Sequence, residues 1–321
     1  MLTGLKYLPL HIILLFLQVS CTMQKKEAVL HLQQSTLLER ISSGSGIALY
    51  NNKVLLISDN ASGYYSMDTA AAVQTFYPFL KGDTPFIRNK DVKEDFESAT
   101  LVPIKGQRFL VAFGSGSVAV KREEAIFFPA DSPGLYKKAD ISGIYQAIKQ
   151  RLGINTSQFN IEGSFSTADS FYLLNRGTNH LVAIKLDQLV NRLTAPASPL
   201  PAFTTRQYRL PLSDSFPVSF SGACYYKDDQ FLFTATVEKT RDWVADGEVG
   251  GSYIGMARLD GTIVFLLPLL DENGNSIKQK LESIDIIQEK PTGKIALFAI
   301  SDNDNGQSTW FRLLLDLSGR R

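Results

Sequence analysis

Three glutamates recur at equivalent places in this sequence, and their type and spacing suggest chemistry. Each stands between an apolar residue and a small one, in Phe96-Glu97-Ser98, Ile161-Glu162-Gly163 and Leu281-Glu282-Ser283. Carboxylate oxygens are the ligands that Ca²⁺ prefers, and the ion takes about six to eight oxygens. If the fold brings Glu97, Glu162 and Glu282 together, they can hold a metal ion or activate water.

A second, structural interpretation of these acids stays open at this stage. Each glutamate could cap a turn or accept backbone N–H bonds from the neighbouring repeat. Asp59 and Asp302 follow the second apolar run of their repeats and are further metal candidates. Arg176 stands at the corresponding place in another repeat and could orient an anionic group. The candidate catalytic residues are therefore Glu97, Glu162, Glu282 and Arg176.

The elements that must position these residues are short β-strands in an internal repeat. Five segments share one plan, in which a small-residue start leads into a strand, a turn, a second apolar strand with a polar end, and a third strand. The starts lie at Gly46, Ser98, Gly163, Gly222 and Ser283, and their separations are 52, 65, 59 and 61 residues. Such spacing fits one four-stranded unit per repeat. The sequence therefore predicts an all-β protein, a β-propeller of five or six four-stranded blades.

Two further segments complete the predicted single domain, residues 28–321. The last repeat has no obvious fourth strand, and a strand near Ala28–Leu32 could supply it and close the ring. The stretch Ile141–Leu152 instead carries apolar residues at helical spacing and is followed by Gly153, which predicts one short helix between blades. Asp187–Leu193 could form a further helical turn. Fourth strands are predicted at Thr75–Phe79, Gln207–Leu210 and Ile263–Leu266.

Composition excludes one large class of partner. The chain has 33 Lys and Arg against 32 Asp and Glu, and its basic residues form no extended block. Proteins that follow a phosphate backbone present a basic face, so we expect no nucleic acid partner. We expect a monomer.

The N-terminus predicts export. Lys6 precedes the apolar run Leu8–Leu17, and small or β-branched residues lead to Cys21, the order of a secretory signal. Residues 1–20 resemble a bacterial lipoprotein signal, although Gln18 stands where leucine is usual. Lipidation of Cys21, a tether of residues 21–27 and a position on an envelope membrane are therefore expected, with simple secretion as the alternative.

The repeat motifs also resemble a known group of proteins. The resemblance rests on Ser45–Ala48 with Ser58–Asn60, Asp95–Ser98 with Gly114–Ser117, Asn160–Gly163 with Asn175–Gly177, Asp246–Glu248, and Leu281–Ser283. Together they resemble an uncharacterised family of bacterial β-propeller lipoproteins that is similar to the phytase-like esterase propellers. The resemblance implies a polar axial pocket, and it admits hydrolysis of a phosphate or carboxylic ester, with calcium supplying positive charge.

Two hypotheses of function follow. The first is an envelope lipoprotein whose propeller binds a small molecule or protein at its polar axial face without catalysis. The second is a calcium-assisted phosphatase or esterase of the phytase-like type. The sequence pairs no nucleophile with a base, which favours the binding protein, because a fold alone does not imply a reaction.

Overall fold

The protein is described by a computed structural model, which covers residues 28–80, 82–83, 93–132, 134, 136–240 and 247–320. The predicted signal, the lipidation site Cys21 and the tether lie outside these residues. Within them, no helix has both the length and the apolar character that crossing a membrane requires.

Antiparallel sheets of four strands form the first three blades, and each is given from the innermost strand outward. Blade 1 contains β2 (Gly44–Tyr50), β3 (Lys53–Ser58), β4 (Gly63–Asp68) and β5 (Gln74–Pro78). Blade 2 contains β6 (Phe96–Ile104), β7 (Gln107–Gly114), β8 (Glu124–Pro129) and β9 (Lys137–Asp140). Blade 3 contains β10 (Ile161–Ser166), β11 (Ser170–Asn175), β12 (His180–Lys185) and β13 (Phe203–Gln207).

The last two blades have longer strands. Blade 4 contains β15 (Phe216–Lys227), β16 (Gln230–Glu238), β17 (Val249–Arg258) and β18 (Ile263–Pro268), with the two-residue β14 (Leu212–Ser213) beside β15. Blade 5 contains β19 (Lys280–Glu289), β20 (Lys294–Asp302), β21 (Ser308–Asp316) and β1 (Val29–Leu38). The described residues therefore form a five-bladed propeller, and the alternative of six blades is wrong.

The ring closes in two ways. The innermost strands β2, β6, β10, β15 and β19 contact one another in cyclic order. The N-terminal strand β1 pairs with β21 and becomes the outermost strand of blade 5, which confirms the predicted closing strand. Closure of this kind leaves the ring without an open seam between its first and last blades.

The hydrophobic core consists of five clusters, and one cluster lies between each pair of neighbouring blades. Between blades 2 and 3, for example, the rings of Phe113 and Phe171 are 5.0 Å apart. Successive side chains of a strand point to opposite faces of its blade. Each face packs against a neighbouring blade, so apolar residues at successive positions of a strand are buried on both faces.

Some elements differ from the sequence-based expectation. The predicted helix is present as α1 (Ser142–Leu152), ended by Gly153 in the left-handed region at φ 65°. The helical turn predicted at Asp187–Leu193 is a longer helix, α2 (Leu186–Thr194), between β12 and β13 of blade 3. The outermost strand of blade 3 ends at Gln207, so its prediction at Gln207–Leu210 was wrong. Blade 2 has a fourth strand of only four residues, β9, whose short polar sequence gave no strand signal.

Candidate functional site

Every innermost strand carries a β-bulge near its start. The pairing with the second strand shifts there by one residue, so one residue in each blade has no cross-strand partner. These residues are Ser45, Glu97, Glu162, Ser221 and Glu282. A bulge bends its strand and re-aims the side chain of the extra residue. The three glutamates predicted from the repeat thus occupy one structural position, at the end of the axis that we call the polar end.

Two more polar positions accompany the bulge in every blade. Two residues before the bulge, the five blades carry Ser43, Asp95, Asn160, Ser219 and Lys280. Opposite this residue, near the end of the second strand or just beyond it, they carry Asp59, Ser115, Arg176, Thr236 and Asp302. Three polar residues per blade therefore meet around the axis at the polar end.

The residue after the bulge is small because the innermost strands approach one another closely. A Cβ atom on Gly222 would lie 2.5 Å from the carbonyl oxygen of Glu282 and 2.7 Å from the Cα of Ser283. Real Cβ atoms do not tolerate such distances, so the small residues that marked the repeat starts allow five strands to surround a narrow axis.

One group of charged residues at the polar end comes from blades 1 and 2, and we call it the Lys93 cluster: Asp59, Lys93, Asp95, Glu97 and Arg122. The Lys93 ammonium binds a carboxylate oxygen of Asp59 and lies 2.8 Å from Oδ1 of Asp95. The Arg122 guanidinium lies 2.7 Å from Oδ2 of Asp95. Carboxylate oxygens of Asp59, Asp95 and Glu97 all lie within 4.8 Å of one another.

A second group comes from blades 3, 4 and 5, and we call it the Arg176 cluster: Glu162, Arg176, Glu238, Lys280 and Glu282. Arg176 donates from Nη1 to Glu162 at 2.7 Å and from Nη2 to Glu238 at 2.6 Å. Lys280 lies 2.8 Å from Glu282 and 3.5 Å from Glu238. This network is almost completely buried, since the Arg176 side chain is 8% exposed and those of Glu162 and Glu282 are 2% exposed.

Some buried acceptors at the polar end have no donor among the described residues. Asp59 Oδ1, Asn160 Oδ1, Glu162 Oε2 and Glu282 Oε2 are buried and have no hydrogen-bond partner among the described residues. A buried acceptor normally has a partner, and an unpaired one costs about 1 to 3 kcal/mol. Each of these four oxygens can accept a hydrogen bond or coordinate a cation.

Burial also changes the acidity of these carboxyl groups. Burial raises the pKa of Asp59 to about 7, and the Asp95 carboxylate adds to the rise while the Lys93 ammonium opposes it. Burial raises the pKa of Glu97 well above its usual range, and the carboxylates of Asp95 and Asp59 raise it further. Burial likewise raises the pKa of Glu282. Such shifts are typical of functional sites, although structural networks produce them too.

The predicted candidates divide between the two clusters. Asp59 and Glu97 share the Lys93 cluster, while Glu162, Glu282 and Arg176 form ion pairs in the Arg176 cluster. Asp302 lies near enough to raise the pKa of Asp59, but its Oδ1 accepts the N–H of Asp304 at 2.9 Å and closes a turn.

Sequence reasoning missed five members of the clusters: Lys93, Asp95, Arg122, Glu238 and Lys280. Asp95 and Lys280 were within reach, because each lies two residues before a predicted glutamate. Glu238 lies two residues beyond Thr236, since β16 of blade 4 continues past the point where the other second strands end.

The opposite end of the axis is different. A cavity of about 200 Å³ opens there between the innermost strands, with Ala48, Thr100, Phe165, Cys224 and Asp285 among its lining residues. Asp285 accepts the N–H of Leu49 at 2.7 Å and that of Ile286 at 2.8 Å. Both of its oxygens are therefore paired, and it completes the hydrogen bonding of a strand edge.

Comparison with protein families agrees with this architecture. Residues 40–315 match the model of a family described as "Family of unknown function (DUF6929)". The chain belongs to DUF6929. The match covers all five blades, and no curated protein sequence matches the DUF6929 chain significantly.

Solved structures align with this chain over nearly its whole length, which agrees with the propeller fold. Glutaminyl cyclase from Myxococcus xanthus aligns with a TM-score of 0.51 and 10% identity, over 90% of this chain and 97% of the other. The PQQ-bound aldose sugar dehydrogenase from Streptomyces coelicolor aligns with a TM-score of 0.50 and 11% identity, over 90% and 99%. At this identity the likeness shows the fold alone.

Proposed function

We propose that this chain is an exported envelope lipoprotein whose propeller binds a ligand at its polar end, with calcium as part of the binding site. The observation that carries the proposal is the set of buried carboxylate oxygens without partners at that end. A fold that needed these acids only for its own hydrogen bonds would pair them, as it pairs Asp285.

The Lys93 cluster suits a calcium ion. Its acids Asp59, Asp95 and Glu97 offer oxygen ligands within 4.8 Å of one another, and Asp59 Oδ1 is buried and free of other described partners. Three carboxylates supply fewer than the roughly six to eight oxygens that Ca²⁺ takes. The remaining positions would be open to water or to oxygen atoms of a ligand, so calcium could bridge the protein and an anionic or hydroxyl-bearing molecule.

The direction of the chain supports presentation of the polar end away from a membrane. Val29 at the start of β1 pairs with Asp316, whereas Leu38 pairs with Ser308. Ser308 also pairs with Asp302, which lies at the polar end. The tether therefore joins the ring at the opposite end. If Cys21 carries the lipid, seven tether residues would reach at most about 25 Å when extended, which would keep the opposite end nearer the bilayer than the polar end.

Calcium binding to the purified protein tests the proposal directly. We expect isothermal titration to show saturable binding, and we expect Glu97→Gln or Asp59→Asn to weaken it by about tenfold or more, since each removes a charged ligand. Asp285→Asn is the matched control, because it removes a buried axial carboxylate at the other end. Unchanged calcium affinity in Glu97→Gln and Asp59→Asn would leave these acids with a structural role only.

The calcium-assisted hydrolase is a second candidate. Burial raises the pKa of Glu97 and Glu282 and raises that of Asp59 to about 7, and this favours it, because a carboxyl group with the pKa of Asp59 can exchange protons near neutral pH. Turnover of p-nitrophenyl phosphate or p-nitrophenyl esters that requires calcium and is lost in Glu97→Gln would establish it. We expect binding without turnover. Lipidation is tested separately by labelling with a radioactive fatty acid, which Cys21→Ser should abolish.

A further inference from the structure

Lys93 lies where a cation bound to the Lys93 cluster would lie. Its ammonium group contacts carboxylate oxygens of both Asp59 and Asp95. These are two of the three acids whose oxygens come within 4.8 Å of one another. The ammonium therefore already acts as a counter-ion inside the set of candidate metal ligands.

The second cation of the cluster, Arg122, is placed differently. It contacts Asp95 through Oδ2, the oxygen that Lys93 does not use, and it donates also to the hydroxyl of Ser117 at 2.8 Å. Its side chain is 14% exposed, compared with 8% for Lys93. Arg122 thus supports Asp95 from the side, whereas Lys93 bridges two acids and takes up oxygens that a metal ion would use.

We propose that the Lys93 ammonium and a divalent cation are alternative occupants of the Asp59–Asp95–Glu97 site, an inference that rests on the proposed function. A calcium ion and an ammonium group a few ångströms apart repel each other strongly in a partly buried site. Calcium therefore has to displace Lys93 from Asp59 and Asp95. The four-carbon side chain of lysine can move away without a change of the backbone.

The consequence concerns affinity and selectivity. Displacement of a resident counter-ion weakens calcium binding, toward the range of about 10⁻⁴ to 10⁻³ M that is found in extracellular calcium modules. A singly charged ion such as Na⁺ would compete poorly with the tethered Lys93 ammonium for the carboxylates of Asp59 and Asp95. Lys93 is therefore the residue that restricts occupancy to compartments in which calcium is abundant.

The test compares Lys93→Gln with Arg122→Gln by calorimetric titration of calcium into the full-length protein. Both variants remove one positive charge in contact with Asp95, so a simple change of net charge would affect them equally. We expect Lys93→Gln to bind calcium about tenfold more tightly than the wild type, and Arg122→Gln to gain less than about threefold, because Arg122 contacts Asp95 through Oδ2 and leaves the oxygens held by Lys93 in place. Equal gains in the two variants would overturn the inference.

A second measurement uses the unaltered chain and does not depend on the folding of a variant. Lysine side chains are acetylated briefly with and without calcium, and modification of Lys93 is followed by mass spectrometry. Expulsion by calcium should increase the modification of Lys93 severalfold and leave that of exposed Lys227 unchanged. If calcium binds and the modification of Lys93 stays constant or falls, Lys93 is not displaced.

The outcomes separate the two proposals. If the wild type binds calcium and Lys93→Gln binds it no more tightly, the inference fails and the proposed function stands. If the wild type does not bind calcium and Lys93→Gln does, the inference stands and calcium is not a natural part of the site. If neither protein binds calcium, both fail.

Discussion

The two ends of the propeller axis are built from the same five strands but treat their buried acids in opposite ways. On β19, Asp285 at one end has both carboxylate oxygens bonded to backbone N–H groups. Glu282, three residues earlier at the polar end, has one oxygen paired with Lys280 and the other without a described partner. The difference separates an acid that completes the hydrogen bonding of the fold from one that keeps an oxygen available for a bound cation or donor.

Charge follows the same division. Among the described residues, the polar end gathers seven carboxylates, namely Asp59, Asp95, Glu97, Glu162, Glu238, Glu282 and Asp302. Only four cations face them there, namely Lys93, Arg122, Arg176 and Lys280. If all were ionised, the polar end would carry an excess of negative charge, and protons or a bound cation would compensate it. At the opposite end Asp285 accepts two backbone N–H bonds.

Removal of Arg176 should have the largest effect on stability. Arg176→Met leaves Glu162 and Glu238 buried without their guanidinium partner, and loss of one member of a buried pair costs about 3 to 5 kcal/mol. Arg258→Met is the matched control, because Arg258 pairs with Asp229 at 3.0 Å while both side chains are nearly half exposed. Exposed pairs contribute about 0 to 1 kcal/mol. Denaturant unfolding of both variants checks the contrast, and equal losses would contradict it.

The second prediction concerns pH in the presence of a chelator. Folding raises the pKa of Asp59 from 3.8 to about 7, so the folded state favours the protonated carboxyl group. The contribution of Asp59 to the stability of the fold is therefore fully present at low pH and is lost as the pH rises toward 7. The free energy of unfolding should therefore fall by up to roughly 4 kcal/mol between pH 4 and 7. Calcium should reduce the fall, and Asp59→Asn should flatten the curve above pH 6. A curve that rises with pH over this interval would contradict the assignment.

A smaller effect is expected at the opposite end. Asp285→Asn keeps one acceptor and loses the other, so it should destabilise the fold by about 1 to 2 kcal/mol. Burial raises the pKa of Asp285 to about 6, so this substitution should alter the pH dependence between pH 4 and 6 and leave the change above pH 6 intact. Unfolding curves at several pH values measure both effects, and a loss of calcium binding would show that the two ends are coupled.

The smallest effect is expected at Cys224, which lies beside Asp285 in the axial cavity. Burial raises the pKa of its thiol well above the usual range, and the Asp285 carboxyl adds to the rise. The native protein should therefore react with a thiol reagent far more slowly than the unfolded protein, because the thiolate is the reactive form. Rapid native reaction would indicate an accessible thiol.

The sequence predicted the blades well because each blade repeats one pattern of apolar strands, and it predicted the bulge glutamates because they recur within that pattern. It predicted the clusters less completely. Lys93 and Arg122 lie in loops whose lengths differ between repeats, and Glu238 depends on an extension of β16 that only blade 4 has. Which acids share a cluster depends on neighbouring blades, and no pattern within one repeat contains that information.

The most direct test of the central claim is a crystal structure of the protein with millimolar calcium, together with anomalous scattering from a calcium substitute such as terbium. We predict one anomalous peak at the polar end, in contact with Asp59 and Glu97, with the Lys93 ammonium moved away from it. No peak at the polar end, with Lys93 still between Asp59 and Asp95 at saturating metal, would contradict the account.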